Sequence, residues 1–215
     1  MNDPELNVRL KQMKILLRLL AFSLLAGCAS SDRIELGNQS YSEAPVRIYL
    51  VPMEGISPAH ATSLANTIET RHKLRTKATT TMGKQPSMFD AERRQYVANE
   101  IAKDAYHAVQ KLQAPDERPF ILVLTPYDIN AREFQLRFLF AAHLQGISVI
   151  STARIDPVNY GLTRDDALRD ARLVKLINKA VGQQVHGYPI SSDRRSVMYG
   201  PIMSVDDLDA IGSWY

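Results

Sequence analysis

The chain has 215 residues, 45% of them hydrophobic and 23% charged, a globular balance that excludes whole-chain disorder, collagen and coiled coil. Its net charge of +3 is small and dispersed, and it does not call for a nucleic-acid partner. One cysteine, Cys28, excludes an internal disulfide framework and a multi-cysteine zinc site.

The first element is an address. From Met13 the chain reads M-K-I-L-L-R-L-L-A-F-S-L-L-A-G-C: Lys14 and Arg18 are a basic start, Leu19 to Ala26 a short apolar core, and Gly27 a small residue before Cys28. This is the anatomy of a secretory signal, too short for a comfortable bilayer span. Leu25-Ala26-Gly27-Cys28 resembles the lipobox of bacterial lipoproteins, in which the peptide is cut before the cysteine and the thiol carries a diacylglycerol. Residues 1–12 are polar and unlike a signal start, so Met13 is the expected initiator. Ala29 follows the cysteine, where an Asp would imply inner-membrane retention in bacteria of the enteric type; the implied location is the outer membrane, facing the periplasm. Residues 1–27 hold Arg9, Lys11, Lys14 and Arg18 against Asp3 and Glu5, so their removal leaves a net charge of +1. Ala29 to Pro45 is polar and reads as a tether between lipid and domain.

The domain follows from Val46. Val46 to Pro52 reads as a strand. Ser57 caps a helix with Pro58 in its first turn, running to about Arg71. Lys73 to Ser87 reads as strand and loop. Asp90 is expected to cap a long helix from Ala91 to about Leu112, ended by Ala114-Pro115-Asp116-Glu117. Phe120 to Thr125 is a continuous apolar run, hence a central strand. Phe134 to Ala142 and Ile147 to Ala153 read as further strands around a turn at Leu144-Gln145-Gly146. Asp165 to His186 is the second long helix, with Leu168, Ala171, Val174, Ile177, Val181 and Val185 as a buried stripe and Gly187 as its stop. A short helix is expected from about Val205 to Ile211. Strands mixed with two long helices predict a single α/β sandwich of the α+β kind.

Three stretches together resemble the archaemetzincin family of zinc peptidases. The first is Phe89-Asp90-Ala91-Glu92-Arg93-Arg94-Gln95-Tyr96. The second is Phe138-Leu139-Phe140-Ala141-Ala142, followed by Val149 to Pro157 and Tyr160-Gly161. The third is Gly187, followed by Ser196-Val197-Met198-Tyr199 and Val205-Asp206-Asp207-Leu208-Asp209, which is also similar to the end of a matrixin catalytic domain. The resemblance covers Val46 to Tyr215. It implies a mixed twisted sheet, two long helices and a small C-terminal subdomain with a methionine turn.

Metzincins bind zinc through H-E-x-x-H-x-x-G-x-x-H. Two His four apart on one helix face aim at one metal, and the Glu beside the first polarises its water. With Gly187 and Met198 as anchors, the first His falls on Ala180, the Glu on Val181, the second His on Gln184 and the third on Ile190. Ala, Val and Ile offer no lone pair, and Gln184 offers one weak neutral oxygen. The cysteines of the family's second zinc site are absent too. The resemblance therefore implies a fold retained without its metal, with no cofactor expected.

The other candidates carry less. Of His60, His72, His107, His143 and His186, His186 lies two residues past Gln184, a step that turns it away from the old ligand direction; His143 reads as a turn residue beside the cleft. A relocated metal site of His143, His186 and Asp193 has no spacing rule behind it. Ser191, Ser192 and Ser196 have no nucleophile elbow or Ser-Lys motif. Arg93-Arg94 beside Tyr96 reads as a solvated face, and Asp206, Asp207 and Asp209 as helix capping.

The expected role is binding: a lipid-anchored pseudo-peptidase that holds an extended peptide or an envelope protein. By resemblance the peptide would lie along an edge strand at Ile147 to Ala153, with Ile147, Val149 and Ser151 as groove residues and Tyr199 to Ile202 as the opposite wall. A peptidase with relocated ligands and a purely structural lipoprotein are the alternatives.

Overall fold

A computed structural model describes residues 44–112, 117–132, 136 and 138–215. The signal, Cys28 and nearly all of the tether lie outside the described residues. Pro45–Tyr215 forms one compact unit.

Eight strands and four α-helices make up the described unit. The larger sheet runs in the order β2-β1-β5-β8-β7, formed by β1 (Ile48–Pro52), β2 (Thr76–Ala78), β5 (Phe120–Thr125), β7 (Ala141–Leu144) and β8 (Ile147–Ser151). The first four strands in that order are parallel, with Ile48 opposite both Thr76 and Phe120 and Ile121 opposite Ile147. The outermost strand, β7, is antiparallel to β8. Every residue of β1, β5 and β8 is buried, the mark of strands covered on both faces.

The two faces have different covers. On one, α1 (Pro58–His72) and α3 (Asp166–Gln184) pack Leu64, Ile68, Leu173 and Ile177 against Leu50, Leu122 and Ile150. On the other, α2 (Ala98–Gln110) packs Ile101, Ala105 and Val109 against Val51, Val123 and Val149. Burying a side chain the size of Leu122 contributes about 2 kcal/mol. The helix starts are set locally. The Ser57 hydroxyl accepts from His60 N–H and the Asp165 carboxylate from Leu168 N–H. Ser204 and Asp207 close a reciprocal capping box on α4 (Val205–Ala210).

One predicted helix is shorter than its sequence pattern. Residues 89–97 form a hairpin of β3 (Phe89–Asp90) and β4 (Gln95–Val97), not the first turns of α2. Asp90 accepts from Arg93 N–H at 3.0 Å and closes a turn, and Arg94 at φ 55° breaks any helical continuation. Tyr96 and Val97 then pair with β6 (Ile129–Asn130) in a second, three-stranded sheet. These long-range pairings outweigh the local helical preference. No helix among the described residues is long and apolar enough to cross a membrane.

Candidate functional site

The order of the larger sheet moves the groove. Strand β8 lies between β5 and β7, so the groove candidates Ile147, Val149 and Ser151 are paired on both sides and buried, Val149 and Ser151 completely. The sequence reading of β8 as the edge is therefore corrected: among the described residues the edge beside the cleft is β7, Ala141–Leu144. The reason is order in space. The chain lays β7 outside β8 through a tight turn in which Gly146 takes φ 73°.

A cavity of about 380 Å³ opens beside β7 on the face covered by α3. Phe138, Phe140, Leu176, Ile202 and Met203 form apolar walls, and His143 and Lys179 bring polar groups to it. Lys179 is 9% exposed. Its Nζ donates to Met198 O at 3.1 Å and Tyr199 O at 2.6 Å, so the two carbonyls that follow the buried Met198 hold the ammonium in place. Burial lowers its pKa to about 8. His143 Nδ1 lies 2.8 Å from Ser148 Oγ on the neighbouring strand. Burial, reinforced by the Lys179 charge, holds the His143 imidazole down at about 4. At neutral pH the cavity thus carries one cation and one uncharged imidazole.

The predicted site residues scatter. Ala180 and Val181 are wholly buried in the core beneath the sheet. Gln184 and Ile190 are exposed. The α3 side chains that reach the cavity come from Leu176 and Lys179, one residue before the position the spacing picked, and Gln183 follows one turn on along that face. The offset has a local cause. His186 N–H bonds to Val181 O and Tyr188 N–H to Gly182 O, so the turn before Gly187 holds one residue more than a regular helix end. Gly187 does take the left-handed conformation, at φ 70°, and Met198 is buried beneath the helix. Of the opposite wall, Ile202 lines the cavity, whereas Tyr199 supplies its carbonyl and places its ring under Arg194.

The relocated metal triad does not assemble. His143 is in the cavity, His186 stacks on His72 with ring centroids 5.6 Å apart, and Asp193 pairs with Arg195. Zinc does not fit the cavity floor: a protonated Lys179 has no lone pair to give and repels a dication, and Ala180 and Val181 have no donor. Among the described residues no three His, Cys, Asp or Glu side chains converge.

The C-terminus locks the far end of α3. Tyr215 donates to Asn178 O at 3.1 Å, and its hydroxyl lies 3.3 Å from His72 Nδ1, while His72 Nε2 lies 3.1 Å from Asn178 Oδ1. A Cβ on Gly182 would sit 2.6 Å from the Tyr215 ring and 2.7 Å from Met198 Sδ, so only glycine lets the helix, the methionine turn and the C-terminus meet. Sequence reasoning missed Lys179 and this clasp. Lys179 leaves little signal in the sequence, because it lies off the expected stripe, two residues from both Ile177 and Val181.

No protein-family profile and no curated protein matches the chain by sequence. Its fold does have solved counterparts. A zinc-dependent peptidase from Methanocorpusculum labreanum superimposes with a TM-score of 0.66 at 19% identity, over 78% of this chain and 95% of that one. An archaemetzincin from Archaeoglobus fulgidus, solved in complex with malonate, gives 0.60 at 24% identity over 78% and 94%. An archaemetzincin from Methanopyrus kandleri gives 0.59 at 21% identity over 78% and 87%. The described domain therefore has the mixed α/β fold of the archaemetzincin-type zinc peptidases.

Proposed function

We propose that this chain is a lipid-anchored envelope protein whose archaemetzincin-type domain binds an extended peptide or protein segment without hydrolysing it. The observation that carries this reading is the Lys179 ammonium on the cavity floor, held by Met198 O and Tyr199 O, where hydrolysis would need metal donors and a base. The outer face of β7 supports the binding half of the reading. An extended segment adds to a sheet edge through main-chain hydrogen bonds, and the cavity beside that edge accepts a side chain. The Leu25–Cys28 sequence supports the anchor, with Cys28 as the lipidated residue and the outer membrane, facing the periplasm, as the location.

The test uses the full-length chain, purified without chelator or added histidines. Zinc content by mass spectrometry and cleavage of a quenched peptide library, with and without added zinc, address hydrolysis. Less than about a tenth of an equivalent of zinc, with no cleavage, is the expected result. Stoichiometric zinc with cleavage that stops on chelation would overturn the reading. Labelled palmitate should enter the wild-type chain in bacteria and not the Cys28→Ser variant.

A further inference from the structure

We propose that the Lys179 cavity is the seat of a free C-terminal carboxylate, and that the ligand is a peptide chain end whose last side chain is apolar. This rests on the non-hydrolytic binding reading above and adds which part of the peptide is held.

Lys179 is a buried cation with an incomplete set of partners. An ammonium has three N–H donors, and two are met by the neutral carbonyls of Met198 and Tyr199. Its polar contacts among the described residues are these two carbonyls, with no carboxylate in ion-pair contact, and burial lowers its pKa. A buried charge without a counter-ion costs stability, and an anionic ligand relieves that cost on binding. The fold thus holds an ammonium beside an open cavity, with one donor left for a guest.

The surroundings say what kind of anion fits. Phe138, Phe140, Leu176, Ile202 and Met203 leave room for an apolar body within about 380 Å³, the scale of a small-ligand pocket. Phosphate or sulfate, hydrated on every side, would gain nothing from those walls. A carboxylate joined to an apolar side chain matches both parts. His143 brings a second polar group to the cavity: in the tautomer whose Nδ1 accepts from Ser148 Oγ, the neutral ring carries its proton on Nε2, available to a carboxylate. The edge of β7, unpaired among the described residues, lies alongside, so a chain entering the cavity by its C-terminus can pair its preceding residues with Ala141–Leu144. Main-chain pairing is what distinguishes a peptide end from any other apolar acid.

The experiment compares two dye-labelled hexapeptides ending in phenylalanine, one with a free C-terminus and one amidated, by fluorescence anisotropy on the full-length chain. The free acid should bind about tenfold tighter than the amide. Lys179→Met should bring the ratio of the two affinities to about one. Equal binding of acid and amide to the wild type needs no variant to interpret: it overturns the carboxylate seat and leaves peptide binding standing. Absence of binding by both peptides, with hydrogen exchange along β7 unaltered by a tenfold excess, overturns the seat together with the reading beneath it. Decanoate that binds where the free-acid peptide does not would overturn the peptide end in favour of a lipid acid.

Discussion

Two buried cations sit seven residues apart on α3, about two helical turns, and they end differently. Arg172, 7% exposed, makes a two-pronged pair with Asp209, through Nε at 2.8 Å and an Nη at 2.6 Å, and donates its remaining Nη to Ile155 O at 2.9 Å. Its charge is matched, and the Asp209 carboxylate raises its pKa. Lys179, 9% exposed, meets only carbonyl oxygens among the described residues, and burial lowers its pKa to about 8. The first cation joins α3 to α4 and the loop at Ile155. The second holds the methionine turn and leaves its charge unneutralised beside a cavity. A matched buried charge is a fastening, whereas an unmatched one can attract a ligand.

Removing the matched cation should have the largest effect. Arg172→Ala leaves Ile155 O without its donor and removes buried packing, while the exposed Asp209 carboxylate returns to water; a cost of about 2 kcal/mol is expected, measured as a lower midpoint of urea unfolding. An unchanged midpoint would erase the contrast between the two sites. Gly182→Ala comes next. Its methyl gains up to about 1 kcal/mol of helix propensity but must displace both Met198 and Tyr215, so a net loss of about 1–2 kcal/mol is expected by the same measurement.

Lys179→Met should shift stability at pH 7 by no more than about 1 kcal/mol, because the lost carbonyl contacts offset the relieved desolvation. Its signature lies in alkali. Between about pH 8 and the ordinary lysine value of 10.5, the unfolded chain holds the Lys179 proton while the folded chain has released it. Stability from this residue therefore rises with pH through that window, and the variant should lose that part of the rise. Lys175, also lowered by burial, contributes in the same direction and remains in both proteins.

The smallest change at neutral pH is expected for His143→Asn. Between about pH 4 and 6.5 the unfolded chain binds a proton that the folded His143 refuses, so stability falls as the pH is lowered. The variant should soften that acid limb, read from unfolding midpoints at a series of pH values. His72, likewise lowered, keeps a residual slope in both.

Much of the fold was legible because its signals are local. The continuous apolar run at Phe120–Thr125 is the central strand, residue for residue. Asp165 caps α3 and Gly187 follows it in the left-handed region, both as the capping chemistry required. Residues 91–97 were misread, because the pairings of β4 with β3 and β6 join positions about 7 and 33 residues apart and leave no mark in a helical period. The cleft was legible in outline. The sequence puts Ile202 on its wall, but it puts the edge strand one position inward and the helix face one residue late.

The sequence by itself determined the apolar strands, the Ser57 and Asp165 caps and the lack of the zinc motif, since each depends on residues within a few turns of one another; of the stripe expected on α3 only Ile177 and Val181 are buried, and Ala171 is exposed. Tertiary structure alone decided which strand is outermost, which helix face lines the cavity, and that Lys179 meets the carbonyls of Met198 and Tyr199. Strand order is a choice among chain paths of similar local preference, and one extra residue in a helix turn rotates a face by about 100°. Neither is written in the spacing of the residues; both follow from how the packed elements meet.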